Sequence, residues 1–376
     1  MKSSPEKVKR IVIKIGTNLL TGKKAFDGHV LEEMVKEVCE LKRDHGTDIV
    51  IVSSGAVGCG MMMLGLTKRP VSLPEKQAVA AVGQARLMHY YETLFQTYGD
   101  GLTTAQVLLT QADLDSRQNY LNVRNTLNTL FAIGTVIPVI NENDSTATEE
   151  LKFGDNDTLA AKIAAKINAG LLILLTDVEG LYDKNPAEDQ SARLICDVER
   201  ITPDLEAAAG GAGSIAATGG MRTKIDAAKI ATAAGVDCVI TSGHQRRVIH
   251  RVLSGEAVRT RFFPAKVALT HRKRWIAFGR ATSGAIHVDN GARNAIVNQG
   301  KSLLPAGITA VEGRFNAGAS VRVMDASGAL IARGLVNYDS EALRAIQGKK
   351  SGTVAAILGR KDFDEAIHRN NMVVLQ

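Results

Sequence analysis

The sequence predicts an α/β fold: an open, mainly parallel sheet sandwiched by helices, followed by a small β-rich domain. Three observations carry this expectation. Short apolar, β-branched runs alternate with stretches of helical periodicity, the pattern of βαβ units around a sheet covered on both faces. The chain is 376 residues long, two or three times the usual domain size. Its rhythm changes between 261 and 273, where Pro264 and the basic run Arg272, Lys273, Arg274 precede Trp275. The expected division is a first domain at 1–262, a linker at 263–274 and a second domain at 275–376.

The first strand is VKRIVIKI at 8–15, which runs into a turn at Gly16. A helix follows, because Val30, Leu31, Met34, Val35, Val38 and Leu41 keep the spacing of one helical face and Gly46 stops it. A second buried strand at 49–52 ends in Ser53, Ser54 and Gly55. Helices near 75–97, 118–132, 157–168 and 223–234 then alternate with strands near 104–109, 135–140, 171–176 and 236–241. Beyond the boundary, 285–288, 320–323, 330–332 and 353–357 read as short strands separated by Gly or Asn. Met61, Met62 and Met63 read most simply as helix packing.

Composition narrows the function classes. Hydrophobic residues make up 45% and charged residues 23%, values of an ordinary globular protein. No apolar run approaches the roughly 20 residues of a spanning helix, and Lys14 breaks the first apolar stretch, so neither a membrane span nor a signal peptide is expected. Cys39, Cys59, Cys196 and Cys238 form no metal or redox spacing, which suits a reducing cytoplasm. The net charge of +7 is uneven. Residues 265–376 hold 16 Lys/Arg against 8 Asp/Glu and the rest 30 against 31, so any attraction to nucleic acid belongs to the tail.

In open parallel sheets, ligands sit beyond the carboxyl ends of the strands, near helix amino termini. Lys14, Gly16 and Thr17 close the first strand, and Ser53, Ser54 and Gly55 close the second. Either turn alone reads equally well as a plain βα connection; two together favour an anion site. After the strand near 135–140, Asp144, Asp155, Asn156 and Asp157 crowd a loop leading into a helix. Any single one reads as a helix cap, but they are too many for one cap and suit an ammonium, a pair of lysines or Mg²⁺. Thr176 and Asp177 close the strand near 171–176, and ATGGMRTK at 217–224 brings Lys224 to the start of a helix. There is no P-loop, nucleophile elbow, HExxH or protein-kinase set, and the G-x-G-x-x-A match at 211–216 follows no strand.

The segments IVIKIGTN, IVSSGAVG, KQAVAAVGQARL, QVLLTQAD, VIPVINENDSTATEELKFGDND, LLILLTDVEGLY and TGGMRTKIDAAKIA, in this order, resemble the amino acid kinase family, and within it the branch that acts on glutamate. RKRWI and SLLPAGI in the tail resemble a PUA domain. The resemblance covers nearly the whole chain. It departs from the pattern at Ala217, where the family often has Gly, and at Val57 to Gly60.

The resemblance implies phosphoryl transfer from ATP, with Mg²⁺, to the γ-carboxylate of L-glutamate, the first step of proline biosynthesis. It gives Lys14 and Lys224 contact with the phosphoryl group in flight and Asp157 the task of holding both. Ser54, Gly55, Asp144 and Asn156 match the glutamate site; Lys14, Thr176, Asp177 and the run Thr218, Gly219, Gly220, Met221, Arg222, Thr223, Lys224 match the nucleotide site. Backbone N–H groups near Gly16 and Gly55 are expected to help neutralise charge. Feedback by proline, hand-over of the product to glutamyl phosphate reductase and a homo-oligomer are also implied. RNA binding by the PUA domain competes with the plainer reading of a solvated basic surface, since aromatic residues in the tail are few and spread out. Acetylglutamate kinase, aspartokinase and uridylate kinase share the fold and the lysine pair, but none joins a GDND block to a PUA domain.

Overall fold

A strand covered on both faces needs an apolar side chain at nearly every position, and the runs around Ile11, Ile49 and Leu171 supply them. The computed structural model describes residues 8–20, 28–115, 117–146, 155–184, 186, 189, 191–210, 220–265, 273, 276–277, 282–359 and 362–375. The chain forms two compact units, Met1–Ala268 and Leu269–Gln376.

In the first unit β1 (Arg10–Ile15), β2 (Asp48–Ser53), β3 (Thr103–Leu109), β4 (Val136–Glu142), β5 (Leu171–Thr176), β6 (Asp197–Val198), β7 (Asp237–Ser242) and β8 (Arg259–Phe262) build one sheet in the order β3-β4-β2-β1-β5-β7-β8-β6. From β3 to β7 all neighbours are parallel; β8 runs antiparallel to β7 and carries β6 at the edge. Its helices are α1 (Thr17–Leu20), α2 (Gly28–His45), α3 (Ala56–Met63), α4 (Leu73–Tyr98), α5 (Gln111–Asp115), α6 (Arg117–Ile133), α7 (Asn156–Ile167), α8 (Pro203–Gly210), α9 (Gly220–Ala233) and α10 (Val248–Ser254). The apolar face predicted for α2 is buried from Val30 to Leu41 and packs with β1, β2 and β5 in one core.

Register positions the site. Ile15 lies opposite Ser53 on β2 and Leu175 on β5, and Thr176 lies opposite Ser242 on β7. The tips of the central strands therefore end level, and the polar residues following them collect along one edge.

Helices α3 and α4 approach so closely that a Cβ at Gly60 would stand 1.9 Å from the Val79 carbonyl oxygen, and one at Gly83 1.8 Å from that of Ala56. This contact corrects the reading of the three methionines. The inward face of α3 is Ala56, Cys59 and Gly60, which turns Met62 and Met63 outward, 40% and 54% exposed.

The second unit holds β9 (Gly284–Val288), α11 (Asn290–Val297), β10 (Ile308–Gly313), β11 (Ser320–Met324), β12 (Leu330–Leu335), α12 (Ser340–Ile346), α13 (Val354–Leu358) and β13 (Met372–Val374), with the sheet order β10-β9-β11-β12-β13. It has its own apolar core around Ile286, Val321 and Leu343. The strand expected at 353–357 is a helix. Val354 is buried, Ala355 to Ile357 are exposed and Leu358 is partly buried; a strand would put Ala356 on the same buried face as its i−2 and i+2 neighbours, whereas a helix turns it outward.

Candidate active site

Asp155 is the N-cap of α7: its Oδ1 accepts the Asp157 N–H at 3.1 Å. The capping role expected of such a residue is real, and it sets the geometry of the next two. Asn156 and Asp157 open the helix under the tips of β1 and β2, with Asp157 fully buried. A carboxylate there faces the positive end of the helix dipole.

Two lysines from distant segments meet on Asp157. Lys14, next to last in β1, brings Nζ within 2.6 Å of Oδ1, and Lys224, in the second turn of α9, donates from Nζ to Oδ2 at 3.1 Å. The Lys14 contact lies outside hydrogen-bond alignment, so charge holds it. Lys14 is also 3.6 Å from Asp155, and the single Thr223 hydroxyl hydrogen lies between both carboxylates, with Oγ1 2.9 Å from Asp155 and 3.2 Å from Asp157. Lys224 further donates to the Gly220 carbonyl at 3.1 Å. An ammonium has three donors, so each lysine keeps at least one hydrogen to spare among the described residues. Burial works against the Asp155 carboxylate, but Lys14, the Asp157 N–H and the Thr223 hydroxyl outweigh it and hold its pKa below the ordinary value.

A second set lies beside the first. Asn156 Nδ2 lies 3.1 Å from the Ser53 carbonyl, 2.9 Å from Ser54 Oγ and 3.0 Å from Asn141 Oδ1, three acceptors around its two hydrogens. Asn141, on β4, also accepts the Glu142 N–H at 2.8 Å and donates from Nδ2 to Gln84 Oε1 at 2.8 Å. The fully buried Tyr91 donates to Ser53 Oγ at 2.8 Å, fixing the tip of β2 from α4. Asp144 stands half-buried in the turn after β4.

On the other side, Thr176 donates to Asp177 Oδ1 and Asn18 Nδ2 donates to Asp177 Oδ2, both at 3.0 Å. Burial raises and these two hydrogen bonds lower the Asp177 pKa, and the lowering prevails. Gly220, Met221, Arg222 and Thr223 form the first turn of α9, where Arg222 faces outward to Asp226. Thr218 and Gly219, the 211–216 glycine match and the loop at 147–154 lie outside the described residues. One expectation changes. The Gly16 N–H is taken by the Leu175 carbonyl at 3.1 Å, joining β1 to β5, so it is not a donor for a ligand. Gly55 holds φ at 105°, a backbone that favours glycine, as N-cap of α3.

The structure thus brings Lys14, Lys224 and Asp157 together, places Ser54 and Asn156 in one network, and sets Thr176 and Asp177 on the neighbouring strand tip. The expectations from sequence did not include Asn18, Asn141 or Gln84. Asn18 carries a signal, being four residues beyond Lys14 in a polar turn; Gln84 sits mid-helix and carries none.

Chemically, two ammonium groups aimed at one point, over a helix amino terminus and between small strand-end residues, have the charge and donors to receive an anion such as a phosphoryl group. Among the described residues no group of three or more His, Cys, Asp or Glu side chains could hold a metal ion.

Residues 9–242 match the amino acid kinase family and residues 284–358 match the PUA domain. The chain is 50% identical to the glutamate 5-kinase of Moorella thermoacetica over 368 residues, 98% of this chain and 96% of that protein. It is 48% identical to the glutamate 5-kinase of Citrifermentans bemidjiense over 371 residues, 98% of each. With the glutamate 5-kinase of Geobacter sulfurreducens it shares 49% identity over 370 residues, again 98% of each.

Proposed function

The chain belongs to the amino acid kinase family, and from that premise we propose its reaction: ATP-dependent phosphorylation of the γ-carboxylate of L-glutamate to L-glutamyl 5-phosphate, the first step of proline biosynthesis. Lys14 and Lys224 meeting on buried Asp157 at the level tips of the strands is the observation that carries this reading.

The mechanism follows from charge. The γ-carboxylate is already an anion, so it needs no general base; the obstacle is repulsion between it and the phosphoryl group. Lys14 and Lys224 neutralise that charge with their spare donors, while Asp157 and Thr223 keep them aimed. Ser54, Gly55, Asp144 and Asn156 hold glutamate; Thr176, Asp177 and the segment from Thr218 to Lys224 hold the nucleotide. Asp155, Asp157 and Asp177 are each engaged by side chains of the protein. These residues do not fit a resident Mg²⁺ site, and the ion is read as arriving on the nucleotide phosphates.

The finer assignments rest on the same kinship. Inhibition by proline, hand-over of the reactive acyl phosphate to a reductase and assembly into a homo-oligomer belong to this reading, and the exposed Met62, Met63, Leu64 and Leu66 are an apolar surface that assembly would cover. Four free cysteines suit a cytoplasmic setting. For the basic tail we keep the solvated surface as the reading; RNA binding would appear as a salt-dependent shift.

The test supplies ATP and Mg²⁺ with glutamate, aspartate or N-acetylglutamate and traps acyl phosphate with hydroxylamine. Preferential trapping with glutamate is expected. Preference for either competitor would overturn the substrate assignment.

A further inference from the structure

Three side-chain amides form a line, Gln84 on α4, Asn141 on β4 and Asn156 on α7, and main-chain groups fix which way each one points. The Ser53 carbonyl can only accept, so Asn156 must turn Nδ2 toward it. The Glu142 N–H can only donate, so Asn141 must turn Oδ1 toward it, and Oδ1 then also receives Asn156 Nδ2. Asn141 Nδ2 is thereby left for Gln84, which must meet it with Oε1.

The line therefore ends in two buried groups of defined polarity. At one end Asn156 Oδ1, an acceptor, and at the other Gln84 Nε2, a donor, have no partner among the described residues. Buried polar groups are normally satisfied, and a pair left open beside a substrate site calls for a ligand that completes both. Such a ligand carries both a donor and an acceptor. An α-amino acid head group is one: its ammonium only donates and its carboxylate only accepts.

We propose that Gln84 is a substrate-binding residue, its Nε2 donating to the α-carboxylate of the amino acid while Asn156 Oδ1 accepts from the α-ammonium. This assignment rests on the reading of the substrate as glutamate and adds the residue that distinguishes an amino acid from an amine. The side chain reaches the site from mid-helix, held in register by the contact of its neighbour Gly83 with Ala56.

The experiment compares the unaltered protein with Gln84→Met, which keeps length and volume but offers no donor, by calorimetric titration with three ligands. Glutamate has both groups, glutarate lacks the ammonium, and 4-aminobutyrate lacks the α-carboxylate. Gln84→Met is expected to weaken glutamate and glutarate about tenfold or more, the scale of a lost hydrogen bond to a charged group, and to leave 4-aminobutyrate within about twofold. These dissociation constants do not depend on the fraction of folded protein. Unchanged glutamate affinity, or equal weakening of 4-aminobutyrate and glutarate, overturns the role of Gln84. Absence of trapped product with the unaltered protein would sink the reaction and not this contact, which the titration judges separately.

Discussion

The two edges of the large sheet both carry ion pairs, built differently. At the amino-terminal edge Arg10 meets Asp48, its register partner at the start of β2, at 3.1 Å, and Arg261 grips Asp237 through two hydrogen bonds of 3.0 Å. These side chains are 19% to 28% exposed; Lys42 Nζ also stands 3.6 Å from Asp48. At the carboxyl edge Lys14, Lys224 and Asp157 are 4%, 9% and 0% exposed, and two cations share one carboxylate. Charges in contact with water close a sheet edge; charges withdrawn from water hold donors in reserve.

The contrast can be broken most severely at Asp157. Asp157→Asn leaves two buried ammonium groups short of their counter-charge and is expected to cost about 3–5 kcal/mol in urea unfolding. A loss no larger than that of an exposed pair would erase the distinction. Next in size, Lys14→Ala or Lys224→Ala should lower kcat by about 100-fold or more, the scale of a lost transition-state donor. Hydroxylamine trapping reads this directly, and a normal kcat removes that lysine from the mechanism.

A smaller effect is expected from Asp144→Ala, about tenfold on the KM for glutamate with the nucleotide KM unchanged. If both constants moved together, Asp144 would not belong to the glutamate side. Smallest is Asp48→Asn at the opposite edge, under about 1 kcal/mol of stability with kcat unaltered. An effect on kcat there would mean that the far edge is not merely structural.

Much of this arrangement was legible in the chain. The central strands and the long helices announce themselves because burial on both faces demands unbroken apolar runs and burial on one face demands helical spacing. The lysine pair was legible only through resemblance: no spacing rule links residue 14 to residue 224, which meet because Lys14 lies near the end of a strand and Lys224 in the second turn of a helix over the same edge. The strand expected at 353–357 failed because a five-residue apolar run has no period of its own. The short strands β6 and β8 were not anticipated, since two and four residues give too little pattern.

Lys166 was also hidden. A lysine on an amphipathic helix reads as solvated, yet it is buried at the far end of α7. Burial pushes its ammonium down to about 7 against the pull of Asp113, with Lys162 and Arg124 adding to the push. The amide line was invisible for a related reason: Gln84 has no sequence neighbour in the site, and three elements must fold before its polarity is defined.

Gly55 has one more consequence. Beyond its left-handed backbone, a methyl group there would press on Leu20 Cδ1 at 3.2 Å, and Leu20 belongs to α1, just past Lys14. The turn that carries Ser54 and the turn beyond Lys14 are thus meshed like gear teeth. On the proposed reading, a side chain at position 55 would push on the turn beyond Lys14, coupling the acceptor side of the site to the phosphate side.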